Sequence, residues 1–306
     1  MAGNELYMVS DMSFSVVIPI YNSSLFIEAT LDSIRSASAE DIYEVLLVDD
    51  CSQDLFAIKK LISKYPELRL VEKPEKTNAA DSRNVGFLES IYDFVFFLDS
   101  DDLLIPGTID RRIQLHKERR AGVMFGNFIK KSRSVEMETS LDPYNSEDFR
   151  DYLFFRGGDI RSSTVSIYKP FHKKTLFDPL SFKHQDWIFG IRLSENSENI
   201  YFDPVSHAVI NTNRAGRMSS SLNISASKYF CENYLKRIGH VNSFSKKNWL
   251  TMIQNRDDAA CSFFFSIFVA QTLVEKIKFH FYYVASRRPF IYVSSRFIGM
   301  IRRRRS

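Results

Sequence analysis

The sequence predicts an α/β fold, a mostly parallel sheet with flanking helices followed by a helical C-terminal segment, and three observations carry that prediction. Short β-branched and aromatic runs alternate with helix-period segments through the first 130 residues. The connections between them are short, as crossovers between parallel strands usually are, and such crossovers are nearly always right-handed. From Ser225 onward the pattern turns helical and aromatic.

Taken in order, the strands are expected at Phe14 to Ile20, Tyr43 to Asp49, Arg69 to Glu72, Asp93 to Leu98 and Gly122 to Phe128. Helical periodicity fills the gaps at Leu25 to Ser36, Leu55 to Tyr65, Ala79 to Ile91 and Pro106 to Arg119. Lys130 to Asp148 is polar and breaks the alternation, which reads as a loop or a ragged antiparallel excursion. Beyond it, Ser163 to Tyr168 and Asp203 to Asn211 read as strands flanking a helix at Gln185 to Ser194. The expected division is a catalytic-type domain over 1–222 and a helical, basic region over 223–306.

With 306 residues, 44% hydrophobic and 25% charged, the composition is that of a globular chain and excludes disorder, collagen and coiled coil. Cys51, Cys231 and Cys261 are too few and too scattered for a disulfide framework or a zinc site. Residues 1–13 include Asn4, Glu5 and Asp11 and lack the apolar core of a signal peptide. A reducing, cytoplasmic setting is the expectation.

Charge is distributed unevenly. Leu273 to Ser306 holds nine Lys and Arg against Glu275 alone, a local +8 within a whole-chain +4, which leaves −4 for the other 272 residues. Phe290, Val293, Phe297 and Ile301 recur at helical spacing beside the Arg302 to Arg305 run, the pattern of an amphipathic basic helix lying in a membrane interface. Cys261 to Val274 is the longest mostly apolar stretch of the C-terminal region and falls short of the ~20 residues a spanning helix needs. The expected partner of the tail is an anionic membrane surface, the inner leaflet of the cell membrane, with no nucleic acid expected.

Ligands of an open parallel sheet sit beyond the carboxyl ends of its strands. Three such ends are chemically loaded: Pro19-Ile20-Tyr21-Asn22, Asp49-Asp50-Cys51-Ser52-Gln53-Asp54, and Asp99-Ser100-Asp101-Asp102. Three carboxylates within four residues repel one another unless a cation compensates, and carboxylate oxygens suit Mg²⁺ or Mn²⁺. Taken alone the acidic run reads rather as a solvated loop capping the helix that starts near Pro106, because Asp before a helix N-terminus is common.

Together the motifs FSVVIPIYN (Phe14 to Asn22), VLLVDDCSQD (Val45 to Asp54), the run Asn78 to Gly86 with Arg83-Asn84, FVFFLDSDD (Phe94 to Asp102) and HQDW (His184 to Trp187) resemble the family 2 nucleotide-sugar glycosyltransferases, inverting enzymes of the GT-A fold that in bacteria build surface glycans. The resemblance spans about Ser13 to Ser220. It implies a Rossmann-like sheet, a nucleotide-sugar donor with UDP expected, a divalent Mn²⁺ or Mg²⁺, and a glycan or glycolipid acceptor. Carried over position by position, it implies that Pro19 and Tyr21 line the nucleobase pocket and that Asp50 accepts a hydrogen bond from the base. Arg83 and Ser100 then belong to the donor-site region. Asp99 and Asp101 form the metal and ribose pair, Asp102 extends that cluster, and Asp186 is the catalytic base. Gln185 stands where the family places Glu. Arg214 and Arg217 lie where some relatives carry a diphosphate-contacting loop.

Two rival readings accompany this one. Acids after two strands also resemble a phosphoacceptor receiver domain, with Lys169 as its lysine, although this leaves the Phe14 to Asn22 strand unexplained. The other is a homologue that binds a sugar nucleotide and transfers nothing, toward which Gln185 points.

Overall fold

The structure, a computed structural model, describes residues 12–39, 43–132, 135–212, 223–255 and 258–268, with 275 and 277. The chain divides into two units, 1–217 and 218–306.

In the first unit, β1 (Phe14–Ile20) and β2 (Tyr43–Asp49) are apolar almost throughout and buried on both faces, which a sheet covered by helices on both sides demands. They pair in parallel from Phe14 with Tyr43 to Ile20 with Asp49. β3 (Leu68–Glu72) and β4 (Phe94–Phe97) flank them, also in parallel. β6 (Val123–Gly126), β9 (Ser166–Tyr168) and β10 (Ile200–Asp203) complete a seven-stranded sheet of order β10-β6-β9-β4-β1-β2-β3, in which β9 alone runs antiparallel to its neighbours. β1, β2 and β4 therefore end along one edge, and their loaded termini converge there.

Four helices cover this half: α1 (Ile27–Ala37), α2 (Leu55–Ile62), α3 (Ala79–Glu89) and α4 (Thr108–Arg119). α1 buries Ile27, Leu31 and Ile34, a stripe at i, i+4 and i+7. α3 packs so closely on the sheet that a Cβ on Gly86 would lie 2.3 Å from Val17 Cγ1, so only glycine allows the approach. Asn78 caps α3, its side chain accepting from Asp81 N at 3.1 Å.

The antiparallel excursion expected within Lys130 to Asp148 is present, β7 (Ile129–Ser132) pairing with β8 (Val135–Glu138). The sequence pattern is corrected in three places. An unforeseen helix α5 (Phe149–Phe155) follows the excursion. The strand expected at Ser163 opens instead as a 3-10 turn over Ser162–Thr164, with only Ser166–Tyr168 extended. The strand expected over Asp203 to Asn211 is two strands: β10 ends at Asp203 in the main sheet, and β11 (Ala208–Asn211) lies in a second sheet of order β5-β11-β7-β8, where β5 is Leu103–Leu104. Pro204, which lacks a ladder donor, falls at the break. α6 (Gln185–Glu195) closes this unit's helices.

The second unit contains α7 (Ile224–Tyr234), α8 (Ile238–Asn255) and α9 (Asp258–Ser266). Phe230, Phe244 and Phe264 form its buried aromatic centre, with ring centroids 5.1 and 5.6 Å apart along the chain of contacts. Among the described residues no helix is long and apolar enough to cross a membrane. The amphipathic basic segment over Phe290 to Arg305, and Arg214 and Arg217, lie outside the described residues.

Candidate active site

The loops after β1 and β2 are stitched together. Asn22 N donates to Ser52 Oγ at 3.0 Å, Gln53 N to Asn22 Oδ1 at 2.8 Å, and Ser24 N to Asp54 Oδ2 at 2.8 Å. Asn22 and Cys51 both adopt left-handed backbone, at φ 51° and 61°, a strain the cross-links hold in place. Asp49 uses both carboxylate oxygens on Ser52 N and so builds the turn. Asp50, the next acid, is left for another task.

Asp50 is buried, and its Oδ1 accepts from Lys73 Nζ at 2.9 Å and from Thr77 N at 2.7 Å. Lys73 itself sits between two carboxylates, reaching Asp81 Oδ2 at 2.7 Å. Burial pushes the Asp81 carboxyl up, but the Lys73 ammonium and the Thr77 hydroxyl outweigh it and bring the carboxyl below its ordinary value. Tyr21 is exposed at the mouth, with Lys76 Nζ 3.3 Å from the ring centroid. Pro19 lies half-buried in β1 opposite Val48.

The end of β4 meets Arg83 from α3. The guanidinium is buried; Nη2 donates to Asp99 Oδ1 at 2.5 Å and Nη1 to Gln185 Oε1 at 3.0 Å. Gln185 Nε2 is fixed on Ser181 O at 2.7 Å, which sets the orientation of the amide. Asp99 Oδ1 also accepts from Ser162 Oγ at 3.3 Å. The neighbouring Asn84 clamps the segment before α6 by donating to Phe177 O and accepting from Phe177 N, each at 2.9 Å. The turn of α3 that carries Arg83 thus locks the strand-end side to the α6 side.

Asp186 is half-buried in the first turn of α6, behind His184 at φ 61°. Burial raises its carboxyl above the ordinary range, Arg83 and Arg161 pull it down, and Asp99 pushes it up. The net rise makes it a stronger base than a solvated aspartate, and the nearby guanidinium groups keep it compatible with a negative charge. Arg161 is anchored by Asp159 at 2.8 Å, and Asp159 also receives Trp187 Nε1 at 2.9 Å. His184 stacks on Trp187 at 5.5 Å, and Phe154 meets the same indole edge-on at 5.8 Å. Asp186 therefore sits beside an aromatic and ionic frame in the first turn of α6.

Two residues expected in the donor and metal set are tied into the fold by hydrogen bonds. Asp102 is buried, its Oδ2 accepting from Ser163 Oγ at 2.7 Å and its Oδ1 from Asn211 N at 2.9 Å, so it ties the 3-10 turn to the end of β11. Burial, with Asp99 and Asp101 nearby, raises its carboxyl well above the ordinary range. Ser100 is also buried, sharing a 3.0 Å hydrogen bond with Ser23 Oγ, and it fastens the β4 loop to the β1 loop. Among the described residues no group of three His, Cys, Asp or Glu side chains is arranged to hold an ion. Asp99 and the half-buried Asp101 remain at the strand end.

Lys73, Thr77, Lys76 and Arg161 were not foreseen. Lys73 had a signal: it is the first residue past β3, a strand end as eligible as the other three. Lys169, the lysine of the receiver alternative, is at the opposite edge, with its backbone N on Asp93 O before β4 begins and its ammonium on Ser90 O.

A nucleotide-binding style sheet, acids at adjacent strand ends and an arginine that joins one of them to the start of α6 make a strand-end site of the glycosyltransferase kind. Residues 15–178, more than half the chain, match the profile of Glycosyl transferase family 2, and the chain belongs to that family. It is 32% identical over 203 residues to the amylovoran biosynthesis glycosyltransferase AmsB of Erwinia amylovora, which covers 60% of this chain and 64% of that enzyme. It is 25% identical over 241 residues to the poly(ribitol-phosphate) beta-N-acetylglucosaminyltransferase TarP of Staphylococcus aureus, covering 74% and 70%. The crystal structure of S. aureus TarS 1-349 in complex with UDP-GlcNAc superposes with a TM-score of 0.62 over 95% of this chain and 92% of that one; at 15% identity the likeness is one of fold, and the fold is GT-A-like. The family match starts at Ser15, inside the strand that the receiver alternative left unexplained, and the transferase reading replaces it.

Proposed function

We propose that the protein transfers one sugar from a UDP-sugar to a hydroxyl group of a lipid-linked or polymeric cell-surface glycan, with inversion at the anomeric carbon. The single observation that carries this reading is the Arg83 bridge. One guanidinium touches Asp99 on the donor side and Gln185, the neighbour of Asp186, on the other. The donor carboxylates and the base are thereby brought to one arginine.

In this reading the Tyr21 ring offers a face to the nucleobase and Asp50 accepts its N–H. Asp186 takes the proton of the acceptor hydroxyl as that oxygen attacks in line, and Arg83 and Arg161 compensate its charge before the proton arrives. Asp101, with Asp99, would hold a hard divalent ion, since Mg²⁺ is commonly held by one or two carboxylates plus substrate phosphates. The chemistry such an ion, Mn²⁺ or Mg²⁺, would supply is charge neutralisation for the leaving diphosphate. The acceptor class is supported by what the relatives' names state, amylovoran biosynthesis for one and poly(ribitol-phosphate) for another. UDP is supported by the ligand of the TarS structure.

The basic amphipathic tail suits peripheral attachment at an anionic inner leaflet, beside a lipid-linked acceptor. The reading is tested by thermal-shift and calorimetric titration with UDP, GDP, CDP and their sugars, with and without Mn²⁺. A midpoint raised by UDP only in the presence of metal is expected, because a ligand of the folded state stabilises it. No response to any nucleotide at millimolar concentration overturns it.

A further inference from the structure

We infer that Arg161 and Lys130 form an anion subsite on the acceptor side, and that the acceptor carries a phosphate group close to the hydroxyl that receives the sugar. The inference rests on the transfer reading above and deepens it by naming the acceptor's chemistry.

The topology brings the two cations to the edge where the site lies. β9 runs antiparallel to both β4 and β6, so β6 ends at the same edge as β4. Past that end the chain passes Phe128 and enters β7, which carries Lys130. Arg161 immediately precedes the 3-10 turn whose Ser162 Oγ donates to Asp99 Oδ1 at 3.3 Å. Both cations meet one buried ring, Lys130 Nζ lying 5.5 Å and Arg161 Cζ 5.8 Å from the centroid of Phe128. In the sheet, β9 and β6 stand one and two strands from β4, about 5 and 10 Å, on the side away from β1 and β2. The pair is thus displaced from the strand ends proposed for the nucleotide.

Both cations keep donors in reserve. Asp159 Oδ2 accepts from Arg161 Nε at 3.2 Å and from Nη2 at 2.8 Å, while Nη1 donates to nothing among the described residues. The anchor is itself fixed, since Asp159 Oδ1 accepts from Trp187 Nε1 at 2.9 Å and from Ile160 N at 3.1 Å. Lys131 is paired with Glu136 at 3.0 Å, but the exposed Lys130 has no acidic partner among the described residues. The charge of Asp186 is felt at Arg161, so the subsite adjoins the proposed base.

The donors left over select the anion. With the Nε and Nη2 edge of Arg161 spent on Asp159, what remains is Nη1 and a separate ammonium, carried on different elements. A tetrahedral phosphate, whose oxygens point in several directions, accepts from both, whereas a planar carboxylate is matched better by a free guanidinium fork. A neutral sugar or polyol needs neither charge. Beside Asp99, Asp101 and Asp186 a phosphate is repelled unless cations offset them, and this pair supplies two.

The test is NMR titration of the full chain saturated with UDP and Mg²⁺, read at the indole N–H of Trp187, one of two tryptophans, with Trp249→Phe assigning the signal. That indole reports on Asp159 and through it on Arg161. Bis(glycerol) phosphate stands for the phosphodiester of a polymer, methyl diphosphate for the diphosphate of a lipid carrier, and glucuronate for a carboxylate. At least one of the phosphates is expected to move the signal saturably and to bind about tenfold more tightly than glucuronate; the tighter of the two assigns the source. Arg161→Gln and Lys130→Gln should each weaken that phosphate by about tenfold. UDP affinity in Lys130→Gln should stay within about threefold of wild type. The inference is overturned if glucuronate binds as well as the phosphates, if Lys130→Gln leaves phosphate binding unchanged, or if that variant loses UDP and phosphate affinity equally, which would assign the cations to the donor's diphosphate. Should Arg161→Gln fail to fold without its Asp159 pair, the exposed Lys130 decides alone. Wild type that binds no UDP overturns the transfer reading itself, whereas wild type that binds UDP and neither phosphate overturns this inference only.

Discussion

The two sides of the crevice are built by different means. On the side proposed for the donor, the adjacent parallel strands β4, β1 and β2 deliver Asp99, Tyr21 and Asp50 to one edge, and hydrogen bonds between neighbouring loops hold them, from Asn22 with Ser52 to Ser23 with Ser100. On the side proposed for the acceptor, Asp186 feels groups distant in sequence: Arg83 from α3, Asp99 just past β4, and Arg161 before the 3-10 turn. The first side is a property of topology, whereas the setting of Asp186 is a property of through-space charge. A change on the donor side is therefore expected to alter binding, and a change at the base to alter turnover.

The largest effect that sharpens this contrast is at the base. Asp186→Asn is expected to lower transfer by ~10²–10⁴-fold, the usual worth of general-base help. The check is UDP release from UDP-sugars in the presence of a bacterial glycolipid extract. Next is Asp101→Asn, which should remove the metal-dependent part of UDP affinity; an Mn²⁺ dependence that survives the change breaks the assignment of that carboxylate.

Asp102 separates position from chemistry. Asp102→Ala leaves Asn211 N and Ser163 Oγ without their partner and should destabilise the fold by about 1–3 kcal/mol per buried group, read as a lowered unfolding midpoint. Asp102→Asn keeps an acceptor for Asn211 N and should recover most of that loss.

Removal of residues 286–306 is expected to reduce sedimentation with anionic vesicles, since each basic residue near such a surface contributes roughly 1 kcal/mol. Equal sedimentation of the shortened chain contradicts the membrane role of the tail.

The smallest effect on turnover concerns the scaffold that both sides share. His116 is fully buried, with Nδ1 on Ala121 O and Nε2 on Ser166 Oγ, and burial lowers its pKa from 6.5 to about 4. The unfolded chain then binds the proton first as pH falls. Stability from this group is complete above pH 6.5 and is lost progressively toward pH 4, on the order of 3 kcal/mol for such a shift. His207, also buried and lowered by burial, adds to the same trend. Urea midpoints measured across that window should fall with acid, less steeply in His116→Gln.

The contrast also explains what was legible in the sequence. β1, β2 and the acids after them follow from alternation and apolar runs, and strand bounds at Phe14–Ile20 and Tyr43–Asp49 agree with the pattern. α5 was missed because Phe149–Phe155 is short and follows a polar stretch that masks its start. The division of Asp203 to Asn211 between two sheets depends on pairing partners, Gly126 opposite Asp203 and Ile129 opposite Val209, that local pattern does not encode.

At the site, the sequence pointed to Asp50, Arg83, Asp99 and Asp186 as types and places. Their hydrogen bonds required the fold. Asp102 and Ser100 belong to the same acidic run as Asp99, and only their burial against Ser163 and Ser23 distinguishes a tie from a ligand. Lys73 was overlooked because its importance comes from Asp50 and Asp81, 23 and 8 positions away, and not from its own neighbours.

The most direct test of the division between binding and turnover is calorimetric titration of UDP with Mn²⁺ into the Asp186→Asn protein. The account predicts a dissociation constant within about threefold of wild type, since the change is isosteric and lies on the acceptor side of Arg83. Loss of UDP binding in that variant, comparable to the loss in Asp101→Asn, contradicts it and makes Asp186 part of the donor site.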